Sequence, residues 1–151
     1  MTDELLDMFD RLPGGYTLIA TTVTEAKREA IEAVLTRRGR TGDEVRVVAS
    51  NRGRDISAFL IGLADVLRSD RFDVIVKVHS KKSPQAGANR ARISRRHLFE
   101  NLFESRGYVT NVLRLFVDHP TLGMAFPTKI HIGYPTLGRA WFNNAPGAQR
   151  L

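Results

Sequence analysis

The chain has 151 residues, of which 42% are hydrophobic and 26% are charged, a composition typical of one compact domain with a core and unlike a disordered segment. It contains no cysteine, which excludes a disulfide framework and a thiolate zinc site. The formal net charge is +7, and the stretch from Lys77 to His97 holds seven lysines and arginines without one carboxylate, so we expect it to attract phosphate groups.

No segment of the sequence predicts a membrane span or a secretory leader. No apolar stretch approaches the roughly 18 to 20 residues that cross a bilayer. The first ten residues are acidic and amphipathic, whereas a signal peptide begins with a basic region followed by an apolar run. We therefore expect a cytoplasmic protein that contacts an anionic membrane only peripherally, at its inner face.

Helical and strand patterns alternate along most of the chain. Thr22 and Glu25 have the spacing of a capping box, so Thr22 is predicted to begin the second helix. Asp55 is placed to cap the third helix. The predicted elements are a helix at residues 5–12, a strand at 16–21, a helix at 23–38, a strand at 45–49, a helix at 56–68, a strand at 72–79, helices at 93–104 and 108–117, and a strand at 122–126.

The last part of the chain has a different composition. Residues 127–151 contain repeated glycine, proline and asparagine, which predicts an irregular C-terminal segment. Trp141 and Phe142 are two adjacent large aromatic residues in this segment. Because such side chains are costly to leave in water, we expect both to pack on the body of the domain.

The order of these elements predicts one α/β domain over residues 1–151, in which residues 1–15 form an N-terminal helix and turn. Right-handed crossovers give a three-layer αβα architecture with a mainly parallel, Rossmann-like sheet. Ligands of such sheets bind outside the carboxyl ends of the strands. Residues 51–55 and 77–83 lie at or just after two strand ends, so we expect them to meet on one edge of the sheet.

The first candidate segment joins a strand to a helix and reads Asn51-Arg52-Gly53-Arg54-Asp55. The amides of a helix start can face an anion, and Arg52 or Arg54 can add charge-assisted hydrogen bonds. The alternative is a tight turn in which Gly53 takes a positive φ, Asp55 caps the helix and the arginines are solvated.

The second candidate segment begins with Lys77 and His79 and continues as Ser80-Lys81-Lys82-Ser83. A lysine inside a covered strand carries a desolvation cost, so Lys77 is predicted to meet a carboxylate such as Asp55 or an anion of a ligand. In the alternative, the strand lies at the edge of the sheet and Lys77 is in water. The next four residues supply two hydroxyl groups and two ammonium groups, which are well suited to contact with phosphate.

The sequence lacks the residue spacings that are typical of other nucleotide-binding and metal-binding sites. The sequence has no GxxxxGK[ST] phosphate loop and no GxGxxG fingerprint after a strand. Its four histidines are scattered, and none belongs to a metalloprotease pattern. No Asp-x-Asp pair is present to hold a divalent cation against a diphosphate. We therefore predict no metal site, and the sequence indicates no particular cofactor.

Taken together, Asn51-Arg52-Gly53-Arg54-Asp55-Ile56 and Val76-Lys77-Val78-His79-Ser80-Lys81-Lys82-Ser83-Pro84 closely resemble the paired signatures of the rhamnan synthesis F family. In that family one strand ends in Asn-x-Gly-Arg-Asp and the next in Lys-x-His-x-Lys-Lys-Ser. The resemblance continues through Thr21-Thr22 and Arg95 and covers roughly residues 5–144. Ser94 departs from the family pattern, which usually has an aromatic residue there. Members also extend beyond both ends of the matched region, so the chain resembles a fragment of a longer domain.

The resemblance implies the nucleotide-binding half of a GT-A type glycosyltransferase. Its substrates would be a nucleotide diphosphate sugar, such as deoxythymidine diphosphate rhamnose, and a glycan or lipid-linked acceptor. Asp55 and His79 are the catalytic candidates, and positioned cations would replace a metal at the leaving diphosphate. The substrate-binding candidates are Asn51, Arg52, Gly53, Arg54, Lys77, Ser80, Lys81, Lys82, Ser83 and Arg95.

Two other functions remain open from the sequence. The basic stretch can serve a nucleic-acid-binding module, although it contains no aromatic residue for base stacking. The chain can also be a non-catalytic interaction domain of a polysaccharide assembly complex.

Overall fold

The computed structural model describes residues 2–50, 52–79 and 88–127. These residues belong to two compact units that divide between Lys81 and Lys82, and each unit is described here by itself. One domain over residues 1–151 stays a prediction. Residues 128–151, with Trp141 and Phe142, lie outside the described residues, and so does their predicted packing.

The first unit is a mixed α/β structure, as the alternation of patterns predicts. Its sheet, in the described residues, consists of two parallel strands in which Ile19 pairs with Glu44 and Thr22 pairs with Val47. The elements are α1 (Thr2–Phe9), β1 (Ile19–Thr22), α2 (Glu25–Arg37), β2 (Glu44–Val47), α3 (Arg54–Leu60) and α4 (Ala64–Leu67).

An ion pair at the start of the strands sets the register of this sheet. The Asp43 carboxylate is 3% exposed and binds the Arg40 guanidinium through both of its oxygens. Asp43 also accepts the amide of Leu18 at 3.0 Å, while the amide of Glu44 donates to the Leu18 carbonyl at 2.9 Å. The Arg40 guanidinium lies 4.1 Å from the centre of the Tyr16 ring. The residues just before both strands are therefore held together.

Helix α1 is attached to the C-terminal end of α2. Arg38 binds Asp3 at 3.0 Å and Asp7 at 2.6 Å, and Arg37 binds Asp3 at 2.9 Å. These arginines lie at the end of the helix where cations complement its dipole. Leu6 of α1 and Leu35 of α2 are among the most buried side chains of the unit.

The predicted capping residue of α2 is wrong. The hydroxyl oxygen of Thr24, not that of Thr22, accepts the amide of Lys27 at 3.3 Å. Thr22 instead ends β1, and its carbonyl accepts the amide of Val48 at 2.8 Å. Because the strand holds Thr22, the helix starts later than predicted.

The helix predicted at residues 56–68 is divided into α3 and α4. The cap of α3 is Gly53, and Asp55 lies within the first turn of the helix. Gly62 marks the break, where an added Cβ would lie 2.6 Å from the Ala58 carbonyl oxygen and 2.9 Å from the Val48 side chain. This close approach packs the break onto the chain that leaves β2.

The strands predicted at residues 72–79 and 122–126 are not formed in the described part of the chain. Val74, Ile75 and Val76 are 39%, 43% and 42% exposed, and no ladder joins them to β1 or β2. Alternating valines show that a segment suits a pleated sheet, but a strand also needs a partner backbone. The described residues therefore show a two-stranded parallel sheet and not the three-layer arrangement.

The second unit contains the two predicted helices, α5 (Ala88–Phe103) and α6 (Arg106–Asp118). The Ser105 hydroxyl caps α6 by accepting the amide of Tyr108 at 3.1 Å. Phe103 and Val109 are buried at 1% and 3% exposure, so they form the core of this helical pair. No helix in the described ranges has the length and hydropathy that a membrane span requires.

We expect Asp43→Ala to lower the free energy of unfolding by about 3 kcal/mol, because it leaves the part-buried Arg40 guanidinium and the Leu18 amide without their acceptor. Burial raises the pKa of Asp43, but hydrogen bonds from Arg40 and Leu18 outweigh it, and the net pKa lies below its usual range. The stabilisation is therefore present above the unfolded pKa of about 3.9 and is lost as pH falls through the folded one. Urea unfolding measures both effects.

The matched control for this test is Asp70→Ala, which removes a carboxylate from an exposed turn. Its free energy of unfolding should stay within about 0.5 kcal/mol of the parent value. Equal effects of the two substitutions would contradict the role given to Asp43.

Candidate functional site

The candidate site begins at the carboxyl end of the two-stranded sheet. β1 ends at Thr22 and β2 at Val47, and the bond from Val48 to Thr22 extends the pairing by one step. The chain then turns into α3, which carries Asp55 in its first turn. The parallel register thus places the start of α3, with Asp55, after the carboxyl end of the sheet.

Two serine hydroxyls hold the turn before α3. The hydroxyl of Ser50 accepts the amide of Arg52 at 3.1 Å, and the hydroxyl of Ser57 donates to the Arg52 carbonyl. Gly53 has a φ of +79°, a backbone conformation that glycine adopts without strain. The positive φ that the tight-turn alternative gives Gly53 is confirmed, whereas Asp55 does not cap the helix.

Lys77 meets Asp55 directly. The Lys77 Nζ donates to the Asp55 Oδ2 at 2.6 Å, and the two side chains are 28% and 32% exposed. The contact joins segments that are 22 residues apart in the chain. The predicted pairing of Lys77 with Asp55 is therefore confirmed, and Lys77 is not the solvated side chain of the alternative interpretation.

The pair keeps Asp55 ionised. The hydrogen bond from Lys77 lowers the pKa of Asp55 below its usual value, burial opposes this, and the charges of Lys77 and His79 lower it further. A carboxylate with a lowered pKa is a weaker proton acceptor at neutral pH. The geometry therefore suits Asp55 to holding the Lys77 ammonium in place.

The other predicted site residues are described to different extents. Arg52 and His79 are exposed and lie in the two segments that the ion pair joins. Arg95 is half-buried in α5 of the second unit. Arg54 is the first residue of α3, and only its backbone is described. The predicted site residues that lie wholly outside the described ranges are Asn51, Ser80, Lys81, Lys82 and Ser83.

Sequence reasoning missed two interactions that support the site. The first is the Ser57 hydroxyl, for which a serine four residues after Gly53 is the only sequence signal. The second joins β2 to α4, where the Arg46 guanidinium binds Asp65 through two nitrogens at 2.7 and 2.9 Å. An arginine in a short strand gives little indication of which carboxylate it will reach.

Among the described residues, no group of three or more histidine, aspartate or glutamate side chains is arranged to hold a metal ion. The cations of the described site are Arg52, Lys77 and His79 when it is protonated. The chemistry that this part of the site offers is therefore contact with anions by positioned positive charge.

One comparison with known proteins gives a match. The model of the family described as rhamnan synthesis protein F matches residues 1–151. The comparisons with curated proteins and with solved structures give no match.

We expect Lys77→Met to raise the pKa of Asp55 towards its ordinary value, because the variant removes the hydrogen bond that holds the pKa down. The stability that the pair contributes is present above that value and is lost as pH falls through the folded pKa. Carbon-detected NMR titration of the Asp55 carboxyl measures the shift.

Lys27→Met is the matched control, because it removes an exposed lysine from α2. It should leave the titration of Asp55 unchanged. If Asp55 titrates at the same pH in Lys77→Met as in the parent chain, the ion pair does not exist in solution.

Proposed function

The chain belongs to the rhamnan synthesis protein F family, and from this membership and the site we propose that it is a glycosyltransferase domain. Family membership implies involvement in rhamnan synthesis, a rhamnose polysaccharide pathway. The reaction that we propose transfers a deoxyhexose, rhamnose in the first instance, from a nucleotide diphosphate sugar to a growing glycan.

The contact between Lys77 and Asp55 carries this proposal. Transfer from a nucleotide diphosphate sugar releases a diphosphate, and positive charge held near its oxygens stabilises the transition state. The Lys77 ammonium is placed by Asp55 at 2.6 Å. An ammonium has three donors, so two N–H groups stay available to phosphate oxygens while the third contacts Asp55.

The two catalytic candidates take different roles in this proposal. Asp55, with its lowered pKa and its contact with Lys77, orients the lysine. His79 is exposed two residues further along the same segment, and an imidazole changes protonation near neutral pH. His79 is therefore the residue that we assign to accept the proton of the acceptor hydroxyl.

The remaining cations supply the charge that a metal provides in many glycosyltransferases. Arg52 and Arg54 flank Gly53, and Lys81 and Lys82 follow His79. We assign these side chains, with the hydroxyls of Ser80 and Ser83, to the diphosphate and the sugar. Asn51 and Arg95 belong to the same proposed set.

The proposal includes a finer fold and a cellular setting. The fold would be the nucleotide-binding half of a GT-A type glycosyltransferase, with a Rossmann-like sheet larger than the two described strands. The donor would be deoxythymidine diphosphate rhamnose, and the acceptor a glycan or a lipid-linked oligosaccharide. A lipid-linked acceptor would bring the basic stretch of this cytoplasmic protein to the anionic inner face of the membrane.

We expect the chain to bind deoxythymidine diphosphate rhamnose in isothermal titration calorimetry. Lys77→Met should weaken this binding by about tenfold to a hundredfold, the effect of losing a charge-assisted hydrogen bond. Lys27→Met should bind like the parent chain, and both variants should stay folded, with Lys77→Met destabilised by no more than about 1 kcal/mol.

The same titration with duplex DNA across a salt series separates the enzyme from a nucleic-acid-binding module. Binding to DNA alone, with affinity that falls steeply as salt rises, would contradict the proposal. So would a folded Lys77→Met variant with unchanged affinity for the nucleotide sugar.

A further inference from the structure

Ser57 lies outside both candidate segments, yet its hydroxyl contacts the turn that carries Asp55. We infer that Ser57 is a positioning residue, which holds the turn at Gly53 and thereby sets where Asp55 meets Lys77. This inference rests on the proposed function and deepens it, because it identifies a group outside both candidate segments on which the geometry of the site depends.

The backbone of Arg52 is held at both ends. Its carbonyl accepts the Ser57 hydroxyl, and its amide donates to the Ser50 hydroxyl at 3.1 Å. The Ser57 amide also donates to the Gly53 carbonyl at 3.3 Å. Ser57 therefore contacts two successive peptide groups of the turn through its side chain and its backbone.

The Ser57 hydroxyl restrains the start of α3 differently from a capping side chain, because it donates to a carbonyl before the helix, whereas a capping oxygen accepts a helix amide. Gly53 occupies the capping position of α3 and makes no side-chain bond to the helix. In most helices a serine, threonine, aspartate or asparagine at that position restrains the turn. Here the restraint comes from inside the helix, four residues further along.

The fit between Ser57 and Gly53 is close. A Cβ added to Gly53 would lie 2.8 Å from the Ser57 Cβ and 3.0 Å from its Oγ. With a φ of +79° at Gly53, the turn has the conformation that glycine tolerates and no space for a larger residue. The side chain of Ser57 thus packs directly against the turn whose carbonyl it binds.

A change in the backbone of this turn would displace the ion pair between Asp55 and Lys77. Asp55 is two residues after Gly53, so a rotation of the peptide between Arg52 and Gly53 moves the start of α3 and the carboxylate with it. Lys77 belongs to residues 72–79, which no ladder joins to β1 or β2 in the described part of the chain. The position of the ammonium therefore depends on Asp55, and the position of Asp55 depends on the turn.

The test uses the full chain and compares Ser57→Ala with Ser57→Thr. The first removes the hydroxyl, and the second keeps it. The readouts are the NMR titration of the Asp55 carboxyl and the affinity for deoxythymidine diphosphate rhamnose. Ser57→Ala should raise the pKa of Asp55 towards its ordinary value and weaken binding about twofold to tenfold, the effect of one neutral hydrogen bond. Ser57→Thr should keep the parent values of both.

The inference is overturned if folded Ser57→Ala leaves the Asp55 titration unchanged, or if Ser57→Thr is as defective as Ser57→Ala. If Ser57→Ala does not fold, Ser57→Cys replaces it, since a thiol has a similar shape and is a weaker donor. The same upward shift of the Asp55 pKa is expected, and its absence overturns the inference.

The titration needs no ligand, so it decides the role of Ser57 separately from the proposed function. If the parent chain does not bind the nucleotide sugar, the proposed function fails. An Asp55 titration that shifts in Ser57→Ala then still supports the positioning role.

Discussion

The ion pair between Asp55 and Lys77 is the contact on which the rest of the candidate site depends. Its atoms are 2.6 Å apart, and both side chains keep about a third of their surface exposed. Pairs of this kind contribute only about 0.2–1 kcal/mol to stability, and they cost side-chain entropy to hold. The value of the contact is therefore in placing one ammonium group at a defined position at the end of the sheet, as anion recognition requires.

Several contacts in the first unit help to fix the position of this ammonium group. The Asp43 and Arg40 pair aligns the starts of β1 and β2, which brings their carboxyl ends level. Arg46 binds Asp65, and Gly62 packs against Val48, so the helices after β2 are attached to the strand. Each of these contacts reduces the freedom of the turn that leads to Asp55. The sheet thus fixes the start of the turn, and the hydroxyl of Ser57 fixes the peptide group between Arg52 and Gly53.

Periodicity and topology predicted the parts of this arrangement that depend on one segment or on chain order. The helices of the second unit, the parallel pairing of β1 with β2, and the contact of Lys77 with Asp55 were predictable in this way. The strand predicted at residues 72–79 is not formed in the described part of the chain, because alternating valines do not determine whether a partner backbone is within reach. The cap of α2 was misplaced by two residues, since both Thr22 and Thr24 suit a cap and only the extent of β1 chooses between them. The bond from Ser57 to the Arg52 carbonyl was missed, because a serine four residues after a glycine does not by itself indicate which backbone group its hydroxyl will reach.

In the proposed function, the two segments joined by the ion pair form one site for a nucleotide diphosphate sugar. The decisive experiment is chemical-shift mapping of the isotope-labelled chain with deoxythymidine diphosphate rhamnose, because each backbone amide reports its own surroundings. We expect saturable shifts of the amides in residues 50–57 and 76–79, with the amides around the Asp43 and Arg40 pair unchanged. Shifts confined to α5, or no shifts at a saturating concentration of the sugar nucleotide, would contradict it.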